Sequence, residues 1–161
     1  MTTNHNLLLK FYDAFSKGDG ETMASCYHPE AEFSDPAFGK LSQQEVVAMW
    51  QMLLKNSKGK LKIEFTNVNT YENKGSLLWT AHYTFSKTNR KVVNKIQANF
   101  EFKDHLIYRH HDQFNLWKWS GMALGWKGYV LGWTPFMQKA IQKQARTALQ
   151  KYREEQGLKT N

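Results

Sequence analysis

From Leu61 to Phe114 the chain is a run of strand-like segments with no helical pattern between them, and this run limits the possible fold more than any other feature. Leu61 to Tyr71, Ser76 to Ser86 and Val92 to Lys103 are rich in β-branched and aromatic residues. They are parted by Asn73-Lys74-Gly75 and by Lys87 to Arg90, and Asp104-His105 turns the last of them into Ile107 to Phe114. Connections this short join antiparallel neighbours, because a parallel return needs a crossover of about a dozen residues or more. The segment therefore predicts an antiparallel meander.

Helical patterns come first in the chain. Leu8, Phe11, Tyr12 and Phe15 recur at helical spacing until Lys17-Gly18-Asp19-Gly20 breaks them. A short helix over Glu21 to Tyr27 follows with Asp19 as cap, and His28-Pro29 ends it, since a residue before proline resists helical geometry. Ala31 to Asp35 reads as a short strand closed by Pro36 and Gly39. Ser42-Gln43-Gln44-Glu45 has the spacing of a capping box, and Val46, Trp50, Leu53 and Leu54 continue it as an amphipathic helix stopped by Asn56 to Gly59.

Helices followed by consecutive strands imply an α+β domain, a curved antiparallel sheet wrapped over the N-terminal helices. Such a sheet forms a cone whose open mouth is a natural ligand site. Beyond it, Leu116 to Gly125 predicts a short apolar helix, and Thr134-Pro135 starts another with Thr134 as cap and Pro135 at the first helical position. Phe136, Ala140, Ile141, Leu149 and Tyr152 give this last helix an apolar stripe, expected to pack on the domain or on a partner subunit. The organisation is one domain over residues 1–161, with a core at about 5–116 and a helical extension at about 117–155, fraying over 156–161.

Twenty-two Lys and Arg against 14 Asp and Glu give a formal charge of +8. The excess is spread over the terminal segment from Gln138 and over groups such as Lys55, Lys58, Lys60, Lys62 and Lys87, Arg90, Lys91, Lys95 near element ends. Charges so placed are solvated faces, and no RNA-binding aromatic motif or finger spacing accompanies them. Neither nucleic acid nor membrane is expected as a partner. Cys26 stands alone, so no intrachain disulfide can form, and the N-terminus lacks a basic, apolar leader. These features suit a cytoplasmic protein. No phosphate-binding glycine loop, nucleophile elbow or Cys-His pair occurs, and no cofactor is expected.

Within the last strand, alternation sets Tyr108, His110, Asp112 and Phe114 on one face. If that face is interior, Asp112 can act as a general acid or base with His110 beside it; a structural carboxylate is the alternative. Asp35, in Ser34-Asp35-Pro36, is a further candidate carboxylate, although the same tripeptide is ordinary turn chemistry. A metal is not expected, because His111 faces away from His110 and His82 lies across from Trp79, Ala81 and Tyr83. Trp50, Trp79, Tyr83, Phe85, Ile96, Phe100 and Phe114 are candidate walls, in a chain that is 14% aromatic. Together they suggest a small apolar ligand, cyclic or aromatic; the alternatives are a non-catalytic binding protein, in which Asp112 and His110 only orient the ligand, and a dimeric scaffold with a filled cone and no cavity.

Three stretches in this order resemble the nuclear-transport-factor-2-like superfamily and, within it, the polyketide-cyclase-like (SnoaL-like) proteins. They are Phe11 to Asp19, then Tyr27 to Phe33 running into Asp35-Pro36, and Ile107 to Asn115. The resemblance, covering about Leu7 to Leu116, implies the cone fold, a homodimer and cofactor-free acid/base chemistry. It matches Asp112 and His110 to the Ile-x-x-His-x-Asp-like strand of polyketide cyclases, and Asp35 before Pro36 to the general base of ketosteroid isomerases. Where those isomerases carry an oxyanion-hole Tyr and Asp, this chain has Phe11 and Ala98, and Leu77 to Phe85 lacks the Arg-x-Asp pair of limonene-epoxide hydrolases. Thr80, His82 and Thr84, on the outward parity of their strand, supply the dimer's candidate face.

Overall fold

In the computed structural model, which describes residues 2–157, a six-stranded sheet curves around three N-terminal helices. Helix α1 (Thr3–Lys17) starts where the Thr2 hydroxyl accepts the His5 N–H at 3.2 Å, and stops at Gly18, whose φ of +73° suits a residue without Cβ. Asp19 caps α2 (Gly20–Ser25). The capping box of Ser42 and Glu45 opens α3 (Gln43–Ser57) as expected. Leu8, Phe11, Tyr12 and Phe15 from α1 and Val46, Met49 and Trp50 from α3 fill the concave side of the sheet.

The expected strands appear as β3 (Lys62–Tyr71), β4 (Lys74–Phe85), β5 (Arg90–Lys103) and β6 (Leu106–Gln113), an antiparallel meander. Asp104 and His105, at φ +52° and +60°, make the tight turn between the last two. Two strands depart from the sequence reading. The stretch expected to continue α2 through Tyr27 is instead the start of β1 (Tyr27–Asp35), because Tyr27 pairs with Ile107 and the sheet outweighs local helix preference. Pro29 falls where the β1–β6 register shifts, so its missing N–H costs no ladder bond. Gly39 to Ser42 form β2 (Gly39–Ser42), an edge strand not foreseen, paired with β1. The sheet order is β2-β1-β6-β5-β4-β3, with β1 and β6 parallel.

Helix α4 (Leu116–Leu124) roofs the far end of the β4–β5 hairpin. Trp119 donates its indole N–H to the Tyr83 hydroxyl at 2.7 Å and packs edge-on to Phe85, and Arg90 Nε donates to the Met122 carbonyl at 2.9 Å. A further helix, α5 (Trp126–Leu131), lies in a stretch the sequence reading left unassigned. It sits very close to α4, since a Cβ on Gly128 would collide with the Ser120 carbonyl and one on Gly132 with the Ser120 hydroxyl. Helix α6 (Pro135–Glu155) starts at the Thr134 cap and crosses to the other side of the domain. There Arg146 Nη1 donates to the Phe38 and Lys40 carbonyls at 2.8 and 2.9 Å. Of its expected stripe, Ile141 and Leu149 are buried and Tyr152 is partly so, but Phe136 and Ala140 are exposed. The expected fraying beyond Gly157 concerns residues outside those described. No helix of the described residues is long and apolar enough to cross a membrane.

Candidate functional site

The site grows from a parallel pair of strands. Phe33 of β1 lies opposite His110 of β6, and Ser34 lies opposite His111. The next position along both strands therefore sets Asp35 beside Asp112 on the concave face. One expected neighbour is displaced, because Glu101 pairs with Arg109 while Phe102 pairs with Ile107. Tyr108 is thus a bulged extra residue, partly exposed against His28, and fully buried Ile107 takes the inward place expected for it.

His110 and Asp112 are sealed into the core, with side-chain exposures of 0% and 3%. A directional chain of hydrogen bonds holds them. Trp50 Nε1 donates to the Tyr27 hydroxyl at 3.0 Å, and that hydroxyl lies 2.7 Å from His110 Nδ1. The phenol proton needs an acceptor, and Nδ1 is the one in reach, so the imidazole carries its own proton on Nε2. Nε2 then donates to Asp112 Oδ1 at 2.9 Å, and Trp79 Nε1 reaches the same oxygen at 3.4 Å. Both bonds fall on Oδ1, and Asp112 Oδ2 takes no hydrogen bond among the described residues.

Aromatic rings fix the imidazole on every side. Its centroid lies 4.4 Å from Phe100 and 5.0 Å from Phe33, and it stacks on Trp50 and Tyr27. Burial of this kind removes water from Asp112 and strengthens its interactions. It also means that His110 positions Asp112 and has no face of its own open to a ligand.

Asp35 is only partly buried. Its Oδ1 accepts the Ala37 and Phe38 backbone N–H groups at 2.9 and 2.6 Å, an Asx-type turn that aims the carboxylate inward. Burial is the main cause that pushes its pKa up to about 7, and the charge of Asp112 adds to it against the lowering effect of those N–H groups. A carboxyl poised near neutrality beside a second carboxylate can exchange a proton while its neighbour carries charge.

Of the proposed walls, Trp50, Trp79 and Phe100 belong to the packed core around this network, while Tyr83 and Phe114 are partly buried. Three side chains of the interior escaped the sequence reading as site residues. The helical pattern of α2 runs on through Tyr27 in the sequence and hides the inward direction that Tyr27 has as the first residue of β1. Tyr12 Oη is buried without a hydrogen-bond partner among the described residues, within reach of the Asp112 charge, and its phenol pKa is raised by burial above all. Asn94 is the polar member of an inward row, Val92, Asn94, Ile96, Ala98 and Phe100, and its side chain makes no hydrogen bond among the described residues. Strand parity alone could have found it.

Two surface grooves, of about 710 and 520 Å³, lie elsewhere. The first is lined by Thr70, Lys74, Asn99, Glu101, Arg109 and His111, largely on the outer sheet face, and the second runs along α6. Neither is the cavity expected beside Asp35, His110 and Asp112. The described residues contain no cluster of three or more metal-ligating side chains; His111 bonds Ser34 and His82 bonds Glu64, both away from His110.

A family model described as a SnoaL-like domain matches residues 8–110. Solved structures with a similar fold include TerC co-crystallized with polyporic acid, at 16% identity and TM-score 0.60, covering 71% of this chain and 92% of that one. An NTF2-like protein of unknown function from Burkholderia pseudomallei is similar at 16% identity and TM-score 0.61, with coverage of 71% and 92%. A protein from Jannaschia sp. CCS1, provisionally called a SnoaL-like polyketide cyclase, aligns at 10% identity and TM-score 0.65, over 74% and 90%. No curated protein matches the chain.

Proposed function

Given that this chain belongs to the family of SnoaL-like domains, we propose that it binds a small apolar molecule, cyclic or aromatic, on the concave face of the cone, and carries out cofactor-free acid/base chemistry on it. The observation that carries this reading is the register-matched pair of carboxylates. Asp112 is fixed through Oδ1 with Oδ2 uncommitted, and Asp35 is brought to about 7 beside it. In an isomerase- or cyclase-like step, Asp112 takes a proton from a substrate C–H or O–H while protonated Asp35 gives one to the oxygen where charge develops. Protons then balance without a metal. His110 and Tyr27 keep Asp112 in place, and Tyr12 Oη, buried and without a hydrogen-bond partner among the described residues, is a donor for a ligand oxygen.

The ligand's apolar body packs on Phe114 and Tyr83, the candidate walls that the closed core leaves partly exposed, and reaches the carboxylates only when the packing over them opens. Polyporic acid in one fold neighbour supports a ligand of cyclic type. Asn94 faces the same interior and is a polar contact for it. Titration of the protein with a panel of cyclic ketones, phenols and quinones should give micromolar binders, and Asn94→Ala should weaken the best of them about five- to hundredfold. If no member of a diverse panel binds and crystals of untreated protein show an interior without ligand density, the reading fails.

The same reading includes a homodimer through the outer sheet face, where Leu78 and Val93 are exposed beside Thr80, His82 and Thr84. Light scattering at micromolar concentration should give twice the chain mass. A monomer at all concentrations would remove the dimer and leave the site untouched.

A further inference from the structure

The close packing of α4 and α5 has a consequence on the opposite face of α5. Gly128 and Gly132 are the residues turned to Ser120, so Trp126, Val130 and Trp133, on the opposite side, point away from the domain, exposed by 71%, 57% and 60%. Tyr129 lays its ring over Gly121 of α4 and leaves its outer side in solvent, 57% exposed. Phe136, at the start of α6, is exposed by 80%, and Trp117 and Leu131 are also exposed. Single exposed apolar residues are ordinary, but a contiguous run of this size marks an interaction surface.

Charge narrows the choice of partner. Between Gln113 and Arg153 the chain has seven cations (Lys118, Lys127, Lys139, Lys143, Arg146, Lys151 and Arg153) and no Asp or Glu. Lys139 and Lys143 follow Phe136 at one and two turns on the same exposed face of α6, and Lys127 lies beside Trp126. A second copy of the chain docked here would face cations with cations. A nucleic acid would take the charges and stack on the rings, but Val130 and Leu131 have no face to offer it. An anionic lipid surface satisfies all of these side chains at once: Trp, Tyr and Phe settle at the boundary of headgroup and acyl chain, and lysines one turn behind reach the phosphates.

We propose that the α4–α5 hairpin and the first turns of α6 form a peripheral docking surface for an anionic lipid bilayer. This departs from the expectation of no membrane partner, which rested on the scattered placement of the charges and on the apolar stripe of α6 packing on the domain or on a partner subunit; Phe136 and Ala140 of that stripe are exposed. The surface lies apart from the carboxylate pair and does not depend on its chemistry.

The test uses the whole protein with vesicles of phosphatidylcholine alone or mixed equally with phosphatidylglycerol. The anionic vesicles should co-sediment the protein at least tenfold more strongly, shift its tryptophan emission to the blue and, when the lipids are brominated, quench it. Binding should weaken as salt rises. Trp126→Ser combined with Trp133→Ser and Phe136→Ser changes only exposed side chains, so the melting curve should be kept while binding falls at least tenfold. Lys139→Gln with Lys143→Gln should lose about ten- to thirtyfold on anionic vesicles, at roughly fivefold for each cation. Equal or absent binding to the two vesicle types would overturn the proposal, as would unchanged binding by the aromatic variant. So would a dimer that this variant turns into monomer, or tighter binding to a single-stranded oligonucleotide than to the anionic vesicles.

Discussion

Asp35→Asn should raise the unfolding free energy at pH 8 by roughly 2 to 3 kcal/mol and leave it almost unchanged at pH 4. In the folded chain the carboxyl has been moved from 3.8 to about 7, chiefly by burial, so the native state keeps a proton that the unfolded chain has lost. Stability from this group is therefore complete below about pH 4, declines as pH rises, and has been lost by the time pH passes about 7. A displacement of that size corresponds to at most ~4 kcal/mol, and partial exposure of Asp35 lowers the figure. Asn cannot ionise, yet its amide oxygen can still accept the Ala37 and Phe38 N–H bonds that Oδ1 now takes. The measurement is the difference in unfolding between variant and parent across pH 4 to 8, which cancels the carboxylates whose pKa values are lowered, such as Glu30 and Glu64. At pH 8 the melting temperature should rise by roughly 5 to 10 °C. A variant that is less stable at pH 8, or a difference that does not change with pH, would mean that Asp35 is an ordinary ionised turn residue and cannot serve as the acid of the pair.

The sequence made the meander and the inward direction of His110 and Asp112 legible because period-two alternation survives wherever one face is buried. It was blind to what depends on partners far along the chain. Nothing local says that Tyr27 pairs with Ile107, so a helix former's context carried Cys26-Tyr27 into the wrong element and hid the phenol that fixes the His110 tautomer. The Tyr108 bulge broke the alternation in a strand read as regular. Asp35 was found by its Pro36 neighbour, but its place beside Asp112 comes from a parallel pairing between strands some seventy residues apart, which no short-range pattern encodes. Helix α5 was missed for a related reason: Gly128 and Gly132 look like breakers, and their role as a contact face becomes visible only against Ser120.

Asp112 is where shape and chemistry can be separated by two substitutions. Asp112→Ala leaves the neutral His110 Nε2–H and the Trp79 N–H without their acceptor in a sealed interior, and each such buried unsatisfied donor costs about 1 to 3 kcal/mol. The chain should then melt roughly 10 °C lower or more. Asp112→Asn keeps an oxygen where Oδ1 stands, so both donors remain satisfied and the loss of stability should stay below about 2 kcal/mol. The amide cannot take a proton, however, and turnover of any substrate found for the wild-type chain should fall about a hundredfold to ten-thousandfold with ligand affinity nearly kept. If Asp112 orients a ligand without chemistry, the amide variant will instead weaken binding by ~1 to 3 kcal/mol and no reaction will be lost. A purely structural carboxylate gives a third pattern, in which alanine destabilises strongly while both variants, counted per folded molecule, bind ligand as the parent does. That pattern would leave Asp35 and Tyr12 as polar contacts of a binding protein, because His110, whose side chain is 0% exposed, has no route to substrate except through Asp112.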